Sequence, residues 1–179
     1  MLFHETAVAG AFVVEPQWIE DERGSFARTF AADEFARRGI ETRVDQCSIS
    51  VNQRAGTLRG LHYQASPHGE AKLVRCTRGR IYDVAVDLRS DSPTHLRWFG
   101  LELSADNGRA LFIPEGCAHG FQTLVDTAVV LYQISTPYVP ASAHGVRWDD
   151  PAFAIDWPPP PPSGRTMSSR DAEYPDLNP

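Results

Sequence analysis

Short apolar runs separated by turn-forming residues recur through the middle of this chain. Runs rich in Val, Ile, Leu, Phe and Tyr, bounded by Gly, Pro, Asn and Asp, are typical of β-strands. They predict strands at 57–64, 72–77, 80–88, 98–104, 110–114, 118–124 and 127–135. A helical pattern is found at 31–38, where helix formers precede a basic end and Gly39 as a stop signal. Regular short strands of this spacing predict an all-β sandwich, barrel or jelly roll with one or two short helices.

The C-terminal segment has a different composition. Five consecutive prolines at 158–162 predict a stiff, extended run, and a polar tail follows from 163 to 179. Such a tail is either a disordered end or a strap that the stiff run carries back across the barrel. The length of 179 residues favours one domain, so we predict a single domain over 1–179 with 158–179 as the C-terminal strap.

Composition and charge narrow the function classes. Hydrophobic residues make up 42% of the chain, which is enough for a core. The net charge of −6, without a basic block, argues against nucleic-acid binding, although a few arginines in a cleft could still bind phosphate. Three cysteines predict reduced thiols, and neither a signal peptide nor an apolar run of about 18 residues is found. We therefore expect a cytoplasmic protein without a membrane segment.

One basic residue stands apart from the others. Sixteen of the seventeen basic residues are Arg, and Lys72 is the single Lys. An ammonium is a compact, titratable point charge that a guanidinium replaces poorly. Lys72 is either a chance survivor of an arginine bias or a residue whose chemistry requires lysine.

Polar side chains that are costly to bury occupy several predicted strands. A closed barrel can direct Arg59, His62 and Lys72, together with His119 and Tyr132 from later strands, into one cavity. Strict alternation would place Arg59 and His62 on opposite faces of their strand. If both face the cavity, Gly60 is predicted to mark a bulge or kink.

Three kinds of chemistry could use such a cavity. A metal site is disfavoured because the stretch after His62 has no second His two residues on. Cys117 and His119 could form a nucleophilic pair, although a small buried thiol is the simpler interpretation. The third option is cofactor-free acid–base chemistry next to a ketone. His62 would be the base, Lys72 would stabilise the enolate oxygen and Tyr132 would donate a proton on the opposite face.

Several segments together resemble one known family. They are DERGSFARTF (21–30), GTLRGLHYQ (56–64), EAKLVRCTRGRIYDVAVDLRSDSPT (70–94), IPEGCAHGFQTL (113–124) and GVRWDDPAFAIDWP (145–158). They closely resemble the dTDP-4-dehydrorhamnose 3,5-epimerases over nearly the whole chain. The resemblance implies a cupin-type double-stranded β-helix, or jelly roll, that forms a homodimer and uses neither a metal nor another cofactor. It also implies an isomerase of dTDP-rhamnose biosynthesis, and hence of cell-envelope polysaccharide biosynthesis.

The resemblance also assigns catalytic roles. It implies that His62 is the base, that Tyr132 is the acid and that Lys72 matches the family lysine after the His strand. Asp171, in the late motif Ser169-Arg170-Asp171, would orient His62, so the C-terminal strap would contribute to the site.

A second set of positions matches substrate contacts in the family. Asp83 matches a polar position close to the His, where it would hold residues that contact the substrate without contacting the substrate itself. The matched or implied substrate-binding residues are Arg23, Phe26, Arg28, Gln46, Arg59, His119, Tyr138 and Arg170. In the family, the positions of Arg23 and Phe26 complete the nucleotide pocket partly across the dimer interface.

Three positions depart from the family pattern in the region that holds the base. Arg28 and Ala143 replace glutamates, and Gln46-Cys47-Ser48 replaces a Gln-x-Asn segment. An Arg in place of Glu turns a hydrogen-bond acceptor into a donor. A thymidine diphosphate sugar is therefore the expected ligand, with cytidine or guanosine diphosphate forms as alternatives. A single-centre 3-epimerase, an inactive sugar-nucleotide binding module and a metal-dependent cupin are the competing functions.

Overall fold

The protein is almost entirely β-structure. Over residues 1–177, which the structure describes, the computed structural model contains thirteen strands and two short α-helices. The strands are β1 (Leu2–Glu5), β2 (Phe12–Glu15), β3 (Ile19–Asp21), β4 (Gly24–Phe26), β5 (Gln46–Asn52), β6 (Leu58–Gln64), β7 (Lys72–Arg78), β8 (Arg80–Asp87), β9 (Trp98–Ser104), β10 (Ala110–Ile113), β11 (Cys117–Thr123), β12 (Ala128–Ile134) and β13 (Ala143–Gly145). The helices are α1 (Ala32–Ala36) and α2 (Ser169–Ala172), and a 3-10 turn spans Pro140–Ser142. The all-β prediction with one or two short helices is confirmed.

Two antiparallel sheets face each other. The six-stranded sheet has the order β1-β2-β10-β7-β12-β5, and the five-stranded sheet has the order β13-β6-β11-β8-β9. β3 and β4 form a separate hairpin. All seven strands predicted from the apolar runs are found, and no end differs from its predicted position by more than one residue. None of the described helices is long and apolar enough to cross a membrane.

Buried apolar side chains form three layers, one between the two sheets and one on the outer face of each sheet. The layer between the sheets contains residues from both of them, including Val74 and Val130 on one side and Ala85 and Phe121 on the other. A second layer covers the outer face of the five-stranded sheet with the segment that includes Trp157. A third covers the outer face of the six-stranded sheet with residues of the N-terminal third of the chain. Because both faces of the central strands are covered, every residue of β11 is buried.

A bulge in β6 confirms the prediction at Gly60. His62 pairs with His119 and Arg59 pairs with Phe121, so β6 uses one more residue than β11 over this span. Gly60 has a φ of +130°, and a Cβ there would lie 2.5 Å from the Cα of Gly120. Only glycine suits such a position. The extra residue lets Arg59 and His62 line the same cavity.

The segment after the prolines crosses back over the five-stranded sheet. Thr166 forms a parallel bridge with Thr57, and its carbonyl oxygen accepts the N–H of Leu58 at 2.9 Å. Helix α2 then begins after Ser168, whose hydroxyl caps it by accepting the N–H of Asp171 at 3.1 Å. This course brings Asp171 to β6 beside the bulge.

Candidate active site

A cavity of about 360 Å³ lies between the two sheets. Its lining combines residues from facing strands, which is why distant parts of the sequence meet there. Seven of the residues singled out from the sequence line it: Gln46, Arg59, His62, Lys72, His119, Tyr132 and Tyr138. Five further lining residues were not predicted: Ser48, Ser50, Glu70, Phe121 and Ile134.

His62 and Asp171 form a hydrogen-bonded pair at this cavity. The Nε2 atom of His62 lies 2.8 Å from Oδ1 of Asp171. The His62 side chain is 41% exposed, whereas that of Asp171 is only 8% exposed. Because Nε2 is engaged by the carboxylate, Nδ1 is the ring nitrogen that can accept a proton from a ligand. The ring of Tyr174 packs edge-on against the imidazole at a centroid distance of 5.9 Å.

The bulge and the strap together hold the Asp171 carboxylate. Its second oxygen, Oδ2, accepts the backbone N–H of Gly60 at 3.3 Å. Burial raises the pKa of Asp171, but the hydrogen bonds and charge attraction from His62, with the Gly60 N–H and Ser168, outweigh burial and leave it lowered. Asp171 is therefore ionised at neutral pH and suited to hold the imidazole in one orientation.

His119 and Asp83 form a second pair directly beside the first. His119 is the cross-strand neighbour of His62, and its Nε2 lies 2.8 Å from Oδ1 of Asp83. The side chains of His119 and Asp83 are 5% and 0% exposed. The other oxygen of Asp83 is buried and has no hydrogen-bond partner among the described residues.

Tyr132 faces the two histidines from the opposite sheet. Its ring packs edge-on against His119 at a centroid distance of 5.9 Å. Burial raises the pKa of the phenol and the Asp83 carboxylate raises it further, while the positive charge of Arg59 lowers it in part. The net effect is a raised pKa, so Tyr132 keeps its proton at neutral pH and can donate it to a basic carbon.

Lys72 links the two sheets at the floor of the cavity. Its ammonium donates to the backbone carbonyl oxygen of His62 at 3.2 Å and forms an ion pair with Oε1 of Glu70 at 2.9 Å. The side chains of Lys72 and Glu70 are each 9% exposed. The single lysine of the chain is thus a buried charge within the candidate site.

The cavity mouth carries the remaining polar groups. Arg59 is exposed and donates to Oδ1 of Asn52 at 2.8 Å, which directs its guanidinium along the rim. Gln46 donates to the carbonyl oxygen of Thr136 at 3.0 Å. Tyr138 is 57% exposed at the rim, and Arg170, also exposed, lies 5.7 Å from the ring centroid of Tyr174.

The structure places Arg23, Phe26 and Arg28 away from this cavity. Arg23 is bonded to Asp21 at 2.6 Å on the β3–β4 hairpin, with its side chain 85% exposed. Phe26 is 67% exposed on the same hairpin, and Arg28 is exposed just after it. Within one chain these residues do not contact the cavity, so their predicted role depends on a second copy.

Residues missed from the sequence had weak sequence signals. Glu70 is a charged residue next to a predicted turn, where a carboxylate usually faces solvent. Its spacing of two residues from Lys72 was the available signal, because alternate residues of an extended chain share a face. Tyr174 lies in the polar tail, where no periodicity indicated a contact with His62.

Cys117 does not form the alternative nucleophilic pair. Burial raises the pKa of its thiol to about 12, with Arg89 lowering it and Asp87 raising it to smaller extents. Its sulfur lies 4.0 Å from Oδ1 of Asp87, while His119 is bonded to Asp83. A thiol that stays protonated at neutral pH is a poor nucleophile.

An antiparallel jelly roll that brings a His–Asp pair, a tyrosine and a lysine to one cavity is suited to acid–base chemistry on a bound ligand. The family model described as dTDP-4-dehydrorhamnose 3,5-epimerase matches residues 5–179. The chain belongs to this family, as the sequence motifs predicted.

Individual relatives agree with this assignment. The dTDP-4-dehydrorhamnose 3,5-epimerase of Sinorhizobium fredii is 39% identical over 177 residues, covering 99% of this chain and 90% of the relative. The dTDP-4-dehydrorhamnose 3-epimerase of Streptomyces niveus is 40% identical over 159 residues, covering 88% of this chain and 76% of the relative. The crystal structure of dTDP-4-dehydrorhamnose 3,5-epimerase from Elizabethkingia anophelis superposes with a TM-score of 0.95 at 38% identity, covering 99% of this chain and 96% of that one. The predicted jelly-roll fold is therefore confirmed.

Proposed function

We propose that this protein inverts the carbons on either side of the ketone in a dTDP-linked 4-keto-6-deoxy sugar, giving a product of the dTDP-4-dehydrorhamnose type. One observation supports this above the others. His62, paired with Asp171, and Tyr132 line a single cavity from facing sheets, and Lys72 lines the same cavity and contacts the His62 backbone. A base and an acid on opposite sides of a ring are what inversion at carbon requires.

The reaction proceeds in two proton transfers at each carbon. His62 takes the proton of the carbon next to the ketone, and the C–H electron pair moves into an enolate whose charge lies on the ketone oxygen. Lys72 donates a hydrogen bond to that oxygen. Tyr132 then gives its proton to the same carbon from the other face, and the enolate collapses to the ketone. Exchange with solvent then removes the proton from His62 and returns one to Tyr132, so no oxidant or reductant is consumed.

The substrate is held mainly through its diphosphate and base. Arg59 at the rim and His119 inside the cavity are placed to contact the diphosphate, and guanidinium groups suit phosphate oxygens. Gln46, Tyr138 and Arg170 lie around the mouth, where the nucleoside would rest. A homodimer would bring Arg23, Phe26 and Arg28 of a second copy to the same region, and size measurement in solution tests this.

Two finer points belong to the same proposal. The enzyme acts without a metal or another cofactor, and metal analysis of the purified, active protein tests this directly. It acts in the cytoplasm, for which the three free cysteines give support, because structural disulfides are typical of oxidising compartments.

Deuterium exchange would decide the number of inverted centres. The protein is incubated with dTDP-4-keto-6-deoxyglucose in deuterated water, and carbons 3 and 5 are followed by NMR. Deuterium at both carbons is the expected result. Deuterium at carbon 3 alone would assign the single-centre reaction, which is the activity named for the Streptomyces niveus relative. No exchange with the thymidine, cytidine or guanosine forms would contradict the proposal and favour a binding module.

A further inference from the structure

Glu70 has no role in the proposed reaction, yet it lies inside the cavity. Its carboxylate lines the cavity and contacts the Lys72 ammonium at 2.9 Å, with both side chains 9% exposed. Burying two charges costs desolvation energy that their attraction often fails to return, so such a pair is weak evidence of stabilisation. Its partner Lys72 donates to the backbone carbonyl of the candidate base His62, which gives a functional reason for retaining the pair.

The backbone around Glu70 is fixed from both sides. The carbonyl oxygen of Gly69 accepts the hydroxyl of Thr136 at 2.8 Å. The N–H of Ala71 donates to the Ser135 hydroxyl at 2.8 Å, and the carbonyl oxygen of Ala71 accepts the Ser135 N–H at 3.0 Å. Because the residues before and after Glu70 are tied to the end of β12, its carboxylate is held on the same face as Lys72.

The contacts of the ammonium leave donor capacity for a ligand. A protonated lysine has three N–H donors and no acceptor. The carbonyl oxygen of His62 accepts one of them, and the Glu70 carboxylate lies against the ammonium as an ion pair. An N–H of Lys72 is therefore available to a ligand in the cavity that Lys72 lines.

We propose that Glu70 is a positioning residue that holds the Lys72 ammonium so that an N–H not bonded to the protein points at the ketone oxygen of the substrate. This rests on the proposed function, because Lys72 is the residue assigned to the enolate. The carboxylate also offsets the lysine charge, so that the ammonium acts as an oriented hydrogen-bond donor. Phosphate attraction is then left to Arg59 and His119.

The first measurement uses the fact that Lys72 is the only lysine in the chain. Protein labelled with 15N-lysine has a single side-chain 15Nζ resonance, which reports on Lys72 alone. We expect a resolved cross-peak in the wild type, because a buried, hydrogen-bonded ammonium exchanges its protons slowly. Glu70→Gln, which is nearly isosteric, should shift or broaden it. The matched control is Glu15→Gln, which removes the carboxylate of a surface pair with Arg109 and should leave the cross-peak unchanged.

The second measurement is turnover. Glu70→Gln should lower kcat by about 10²-fold, the scale expected for a misplaced reacting group, with KM within about 3-fold of the wild type. In a Lys72→Met background, Glu70→Gln should cause no further loss, because the two residues act as a unit. Glu70→Asp, which keeps the charge but shortens its reach, should lie between Gln and the wild type.

The outcomes separate the two proposals. An unchanged cross-peak in Glu70→Gln, an unchanged kcat, or additive losses in the Lys72→Met background would each overturn the positioning role. If the wild type turned over none of the three nucleotide forms, the proposed function would fail. The cross-peak comparison would then still decide whether Glu70 holds Lys72.

Discussion

The two His–Asp pairs of the cavity use the same residue types on neighbouring strands, yet they differ in almost every physical respect. His62 and Asp171 are 109 residues apart, and the pair forms only because the C-terminal strap crosses β6. His119 and Asp83 come from paired strands, with Asp83 opposite Phe121, so the ladder itself sets their contact. The first histidine is 41% exposed and the second 5%.

Burial is what separates their chemistry. A histidine that must take a proton from carbon needs a ring nitrogen open to the ligand, and His62 has one. His119 is enclosed and bonded to a carboxylate that is itself fully buried, so it is suited to hold a fixed contact with an anion. The sequence motifs show which residue types are present. The exposure of each histidine, and whether its aspartate comes from the C-terminal strap or from a paired strand, determine which role each can have.

Replacing each histidine by alanine tests this division and should give the largest effect. His62→Ala should lower kcat by about 10³-fold, within the range for loss of a general base, because it removes the proposed base. His119→Ala should instead weaken dTDP binding by roughly 10-fold, because it removes a hydrogen bond to a charged group. Steady-state kinetics and calorimetry with dTDP measure the two losses. A comparable loss of nucleotide binding in His62→Ala would show that the two roles are misassigned.

Replacing the two carboxylates should affect different properties: Asp171 should matter for turnover and Asp83 for stability. Asp171→Asn should reduce kcat by about 10²-fold or more, because the amide no longer orients the imidazole as a carboxylate does. Asp83→Asn should lower the free energy of unfolding by about 1–3 kcal/mol, because it disturbs a hydrogen-bonded group with no access to water. Urea unfolding and turnover are measured on both variants. If Asp171→Asn and Asp83→Asn lost the same stability, a partner supplied by the C-terminal strap would not differ from one supplied by a paired strand.

The bulge beside the His62–Asp171 pair can be tested by substituting two glycines. Gly60→Ala should destabilise the protein by about 3 kcal/mol or more, from backbone strain combined with overlap against Gly120. Gly24 is the matched control, because its φ of +125° is similar but a Cβ there would meet nothing within 4 Å. Gly24→Ala should cost only about 1 kcal/mol of strain. Denaturant melts that show equal losses would mean that the close strand approach is unimportant.

The smallest expected effect is a pH dependence of the strap. The pKa of Asp171 is lowered below 3.8 in the folded protein, so its contribution is present above that value and is lost as the pH falls through the folded pKa. Exchange of the Gly60 amide, corrected for its intrinsic pH dependence, reports on the contact. We expect protection to be lost below about pH 3.8, and at higher pH in His62→Ala because the hydrogen bond that lowers the pKa is gone. A pH-independent protection would exclude Asp171 as the anchor.

Much of the fold could be predicted from the chain because its central strands are covered on both faces. The runs from 57 to 135 are apolar enough to stand out, and all seven became strands. The missed strands β1 to β4 have only three or four residues each, too few for a periodic pattern. β5 was missed for another reason: Ser48 and Ser50 face the cavity while Ile49 and Val51 are exposed. In β5, polar residues therefore face the interior and apolar residues face outward, which is the reverse of the usual strand pattern.

The site was only partly accessible from the residues themselves. His62, Lys72 and Tyr132 could be singled out because polar groups in strands are costly to bury. Asp171 could not, since nothing in a polar tail indicates which strand it will reach; the family motif supplied it. Glu70 was missed because a carboxylate next to a turn is usually solvated, and its burial depends on the ties between 69–71 and the end of β12.

The late position of Asp171 has a consequence for biosynthesis. The thirteen strands described above all precede it, so the ribosome delivers every strand before the carboxylate that is hydrogen-bonded to His62. A nascent or truncated chain that lacks helix α2 would still carry His62, His119 and Arg59 at the cavity. Such a chain would be expected to capture nucleotide without processing the sugar. During synthesis, each chain would therefore be able to bind nucleotide before it could catalyse the proposed reaction.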